Sequence, residues 1–149
     1  MKALAILSML VTTAQAAPPP LNGSPLDGLP LGVLPKQELP AKGCAAFLWS
    51  ATGTRTLVAM VTADPAMLRV SLGGTITDLP RTAQHGDAGL GFSNSADFGS
   101  GDVTATIDMT VTVRGDIKDG ASVPQGTLRL DRKGQDGVVL PVVGLIGCT

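Results

Sequence analysis

Asp102-Val103-Thr104-Ala105-Thr106-Ile107-Asp108-Met109-Thr110-Val111-Thr112-Val113-Arg114 alternates between apolar and polar side chains without a break. A period of two places Val103, Ala105, Ile107, Met109, Val111 and Val113 on one face and the threonines, aspartates and Arg114 on the other, which is the pattern of a long strand with one buried side. β-branched residues fill most of these positions and favour extended backbone. Working outward, Thr127–Lys133 repeats the design, with Leu128 and Leu130 facing in and Thr127, Arg129 and Asp131 facing out. Leu68, Val70 and Leu72 alternate with Arg69 and Ser71 in the same way.

Three other segments are more uniformly apolar: Cys44–Trp49 (CAAFLW), Leu57–Val61 (LVAMV) and Val138–Ile146 (VVLPVVGLI). Such runs suit strands covered on both faces, or strands with a small-residue outer face. Turn signals separate the segments at Ala51–Thr54, Asp64-Pro65, Gly73-Gly74 and Gly134–Gly137. Pro141 inside the last run points to an edge position or a bulge. No stretch of the domain carries a helical period. The reading is an all-β domain over 42–149, a small antiparallel β-sandwich or β-barrel of seven to nine strands.

The chain before this domain divides in two. Lys2 followed by the apolar run Ala3–Val11 and the small-residue triplet Ala14-Gln15-Ala16 reads as an export signal over 1–16, with cleavage before Ala17. The run falls short of the ~20 apolar residues that span a bilayer. Residues 17–41 form a proline-rich extended leader, in which Pro20, Pro25, Pro30, Pro35 and Pro40 recur at every fifth position. Proline removes a backbone donor and restrains the preceding residue, so neither a helix nor an inner strand runs through it. The leader reads as a spacer that packs partly on its own domain, with docking to a partner groove as the other use of such a segment. Cys44 and Cys148 are the only cysteines. In an exported chain they pair with each other and close the domain by one disulfide, and the lack of a C-x-x-C spacing argues against redox chemistry.

Composition excludes several functions. The 149-residue chain has 11 Lys and Arg against 12 Asp and Glu, a formal net charge of −1, which gives no basic footprint for nucleic acid. Phosphate-cradling glycine motifs and a nucleophile elbow are absent from the sequence. His85 is the only histidine and Glu38 the only glutamate, so imidazole–thiolate metal sites lack ligands and paired-carboxylate chemistry would rest on aspartates. The stretch Gln84–Asp102 is the least ordinary. It gathers His85, Asp87, Asp97 and Asp102 with five glycines in what reads as one surface loop. Those four residues are the candidate site for a hydrolase or a calcium-type centre, although their spacing matches no known calcium loop. No cofactor is expected. The T-x-T pairs at Thr104/Thr106 and Thr110/Thr112 would suit an ice-binding face only if neighbouring strands repeated them, and Thr127/Arg129 does not.

The ends of the domain, Gly43–Trp49 and Pro141–Cys148, together with Gln125-Gly126-Thr127-Leu128, resemble those of short exported alphaproteobacterial β-proteins that have no assigned activity. The resemblance implies a Gram-negative periplasm. The chain is also similar in size and compartment to periplasmic lysozyme inhibitors, which are small disulfide-closed barrels, but it has no tyrosine for their inhibitory loop. The expectation is therefore a periplasmic or secreted β-domain without catalysis that binds an envelope component or a protein partner. A hydrolase or metal-dependent enzyme using the 84–102 stretch, or an inhibitor of an envelope-directed hydrolase, are the alternatives. The export signal carries its own test: mass spectrometry of the exported protein should give an N-terminus at Ala17, and a chain retaining Met1 in that fraction would refute the cleavage.

Overall fold

The computed structural model describes residues 29–149, so the export signal and the leader up to residue 28 lie outside the described residues. Nine strands occur: β1 (Leu31–Gly32), β2 (Cys44–Ser50), β3 (Leu57–Thr62), β4 (Met67–Leu72), β5 (Thr75–His85), β6 (Ser95–Ser100), β7 (Val103–Thr112), β8 (Gly120–Arg132) and β9 (Val138–Cys148). No helix occurs among the described residues. From β2 to β9 every strand pairs antiparallel with the next, and β9 returns to pair with β2. The alternatives of sandwich and barrel are thereby decided: the domain is a closed eight-stranded antiparallel barrel with β1 added outside the cylinder.

The alternation of the central stretch holds from Val103 to Met109 and fails at its far end: β7 stops at Thr112 after a register shift between Thr110 and Thr112, and Val113, expected on the buried face, is 72% exposed. Val103, Ala105, Ile107 and Met109 are buried in the barrel, while Thr104, Asp108 and Thr110 face solvent. On either side of Ile107 the ladder brings Ala96 of β6 and Leu128 of β8 onto the same inner face. Leu48, Leu68, Leu79, Phe98, Ile107 and Leu128 lose essentially all their exposure, and each such side chain contributes roughly 1.5–3 kcal/mol. The loop from β5 to β6 lays Phe92 into the core at one end, and Leu31 of β1 enters it at the other. The interior is a packed core, as expected of a barrel of eight strands.

Closure depends on the pairing of β2 with β9, which runs from Cys44↔Cys148 through Phe47↔Leu145 to Ser50↔Val142. Gly144 faces the interior on this seam, where an added Cβ would strike the Phe47 carbonyl oxygen and the Leu48 side chain. The cysteines form the disulfide across the end of the seam, 104 residues apart in sequence. In the chain-entropy model a loop of that length is worth about 4–5 kcal/mol. The bond also fits an oxidising, non-cytoplasmic compartment. No helix among the described residues is long and apolar enough to cross a membrane.

The described part of the leader lies against the barrel. Leu31 pairs with Leu72 and Gly32 with Ser71, so β1 takes the side of β4 that β3 leaves free beyond Val70. The Leu34 amide then donates to the Leu57 carbonyl, and the Leu34 side chain is buried on the outside of the wall with Ala45 and Met60. The chain thus runs as a strap down the outer face of β3 and β2 to Cys44. It explains why CAAFLW and LVAMV are apolar on both faces.

Several sequence readings change in detail. The stretch 84–102 is not one loop: β5 reaches His85, and Ser95–Ser100 is a full strand. β5 had no visible signature, because Leu79 is its one buried residue. β8 begins seven residues before Thr127, interrupted by a register shift between Val123 and Gly126 that carries Pro124. Pro141 sits inside a paired strand rather than at an edge. Its carbonyl accepts from the Ala51 amide, so the donor that proline lacks faces the point where β2 has already turned. Ile107→Asp should cost at least about 3 kcal/mol by burying an unpaired charge, and Thr106→Ser on the outer face less than about 0.5 kcal/mol. Urea unfolding of the two variants checks this, and equal effects would contradict the facing of β7.

Candidate functional site

The four candidates from the 84–102 stretch end up apart. His85 closes β5 in solvent and lies opposite Ser95 in the ladder. Asp87 turns back on its own loop, where its carboxylate accepts from the Gly89 amide at 2.8 Å. Asp97, on the outer face of β6, accepts from the Thr106 hydroxyl at 2.6 Å. Asp102 begins the opposite end of β7 and faces Arg132 at 3.7 Å. Each carboxylate already has a local partner, and no two of the four share a cleft. Among the described residues no three His, Cys, Asp or Glu side chains gather as a metal ion would need. The stretch is held by turns and strand pairing: Ser93, buried, donates to Gln84 at 3.0 Å, and the Gly89–Phe92 turn swings Phe92 into the core.

One ion pair shows shifted titration. Arg69 of β4 holds Asp78 of β5 through two contacts, Nε to Oδ1 at 2.7 Å and Nη2 to Oδ2 at 2.8 Å. The hydrogen bonds from Arg69 outweigh partial burial and hold the Asp78 carboxyl below its ordinary value, and the same contact raises the guanidinium. Arg69 Nη1 also donates to Gln37 Oε1 at 3.1 Å. The pair therefore anchors the strap to the barrel wall, beside a hollow of about 270 Å³ that Glu38 also lines.

The remaining feature is a groove on the outside of β2, β8 and β9. Facing outward on the closing seam, Trp49 pairs with Val143 and Phe47 with Leu145, and the two rings lie 6.5 Å apart. The strap reaches Phe47 through Leu34 and lies over Gly147 of β9 through Leu39, but the outer residues Val139 and Leu145 of β9 remain 62% and 50% exposed. The groove beside Trp49 has a volume of about 570 Å³ and is floored by Val143, Leu145 and Pro124. Arg55, from the β2–β3 turn, and Arg114, beyond β7, stand at its rim. Sequence reading placed Trp49 in a uniformly apolar strand without assigning its face, and could not join Arg55 to Arg114. The signal that could have found it is the run Val138–Ile146, which keeps apolar side chains at outward positions such as Val139 and Leu145.

Comparison with protein-family models, with characterised proteins and with solved structures finds no match to this chain. The site is therefore read from its own geometry.

The Arg69–Asp78 pair predicts a pH dependence with a definite sign. Because the Asp78 carboxyl is lowered on folding, its contribution to stability is present above the ordinary value of 3.8 and is lost as the pH falls through the lowered value. Both side chains are about 40% exposed, so solvent screening keeps the contribution below about 1 kcal/mol. Urea unfolding of the protein and of Asp78→Asn should differ at pH 6, and the difference should shrink as the pH falls below 3.8.

Proposed function

We propose that this protein is a non-catalytic binding domain of the periplasm or the secreted space, and that it receives an envelope component or a partner protein on the outer face of β2 and β9. The observation that carries the reading is the uncovered apolar face centred on Trp49 and Leu145. On β7, by contrast, the outer positions are hydroxyl or charged, as with Thr104, Asp108 and Thr110. A contiguous apolar face at a strand seam, with an aromatic ring at its centre, is what a docking surface presents. The packed interior supports the same conclusion, because a barrel filled by Phe98, Ile107 and Leu128 leaves its outer surface for recognition. The dispersal of His85, Asp87, Asp97 and Asp102 supports binding over catalysis.

Affinity capture from a periplasmic extract, with the native protein beside Leu145→Glu, tests the proposal. Leu145 is half exposed, so the variant should fold and melt within a few degrees of the native protein. It should lose a partner that the native protein retains. Identical captured material from the two proteins would overturn the assignment of this face.

A further inference from the structure

Resting on that docking reading, we infer that the groove takes an extended peptide segment in which an acidic residue neighbours an apolar one. The chain as a whole is slightly acidic, with a net charge of −1 and a pI of about 5.6. The wall of the Trp49 groove reverses that sign: it carries Arg55 and Arg114 and no carboxylate. Arg55 makes no salt bridge among the described residues. Arg114 holds Asp116 two positions on through two contacts, Nε to Oδ1 at 3.0 Å and Nη2 to Oδ2 at 2.9 Å, with both side chains more than half exposed. An exposed pair of that kind is worth little, so a ligand carboxylate can share or replace it. The guanidinium fork of Arg55 suits a carboxylate in two-point contact, and that of Arg114 does so when the ligand displaces Asp116.

The second half of the ligand follows from the adjoining hollow. It shares Trp49 and Leu145 with the first, has a volume of about 460 Å³, and adds Leu39, Phe47 and Ile117. Its charged members, Asp116 and Lys118, are one of each sign. A ligand across both hollows therefore presents an acid to the arginines and an apolar side chain to the neighbouring hollow. An extended peptide does this with nearby residues, since alternate side chains fall on one face. An anionic membrane is the other acidic and apolar surface, but such surfaces select clusters of about four to eight basic residues, and this rim has two arginines.

The test uses the protein's own reporter. Trp49 is the only tryptophan and the chain has no tyrosine, so emission excited at the red edge of the indole band reads the groove directly. An array of hexapeptides permuting Asp or Glu, Lys or Arg, and Leu or Phe is probed with the native protein. The strongest binder, its lysine-for-acid analogue and phosphatidylglycerol vesicles are then titrated against Trp49 emission. Peptides combining an acid with Leu or Phe should bind and shift the emission, and the lysine analogue should not. Affinity should fall with added salt, and in Arg55→Gln with Arg114→Gln by about tenfold or more. Absence of an acidic preference, an unchanged affinity in the double variant, or a response to vesicles without one to peptides would overturn the inference. If any of these accompanies partner loss in Leu145→Glu, the docking face stands and only its ligand class is wrong. Unchanged capture by Leu145→Glu would instead remove the face itself.

Discussion

The pairing of β2 with β9 is the constraint on which the rest of the molecule depends. Every other ladder of the barrel joins neighbours in sequence, across turns such as Ala51–Thr54 and Gly73-Gly74, at little cost in chain entropy. This seam joins the two ends of the domain, so it forms last or at the greatest entropic cost. Three local features offset that cost. Gly144 lets the strands approach without a clash, Ala46 and Ile146 continue the inner face across the gap, and the Cys44–Cys148 bond holds the ends in register. With the seam closed, neither barrel end strand exposes an unpaired edge.

The seam also divides the outer surface. Upstream of Cys44 the strap covers β3 and part of β2, and Leu34 buries Ala45 and Met60 against it. On the β9 side Leu39 of the strap lies over Gly147, and Leu145 is left facing outward, half exposed. The same closing ladder thus has one apolar flank satisfied by the chain itself and one that is open. The groove lies on the open flank, with its arginines supplied by a turn and by the segment after β7.

What the sequence revealed, and what it did not, follows from where each signal resides. β7 was legible because its inner positions are all apolar and its outer ones nearly all polar. The disulfide was legible because two cysteines have one pairing. β5 and β6 were hidden: Leu79 is the lone buried residue of β5, and β6 faces the core with Ala96 and Phe98 amid serines and glycine. Their polar composition reads as loop until the ladders on either side supply the hydrogen bonds. Barrel against sandwich could not be decided, because the choice depends on unbroken pairing around the cylinder and not on any one strand. The candidate aspartates were misleading because a run that looks like one loop is a loop and a strand facing different ways. The groove was invisible for the opposite reason, since its residues come from three separate parts of the chain: Trp49 and Arg55 around the β2–β3 turn, Arg114 after β7, and Leu145 in β9.

The strap has a mechanical consequence. It meets the barrel at the Leu72 end of β4 and follows the wall to Gly43 at the far end, where the Thr149 amide donates to the Gly43 carbonyl. Tension applied between Leu29 and Thr149 would therefore run along the strap into Cys44, cross the sulfur–sulfur bond to Cys148, and leave through Thr149. The load would strip Leu31 and Leu34 from their seats by sliding, while β3 to β8 carried almost none of it. The domain is wired as a covalent link with a folded body hung beside it, able to hold its shape while Leu29 and Thr149 are drawn apart.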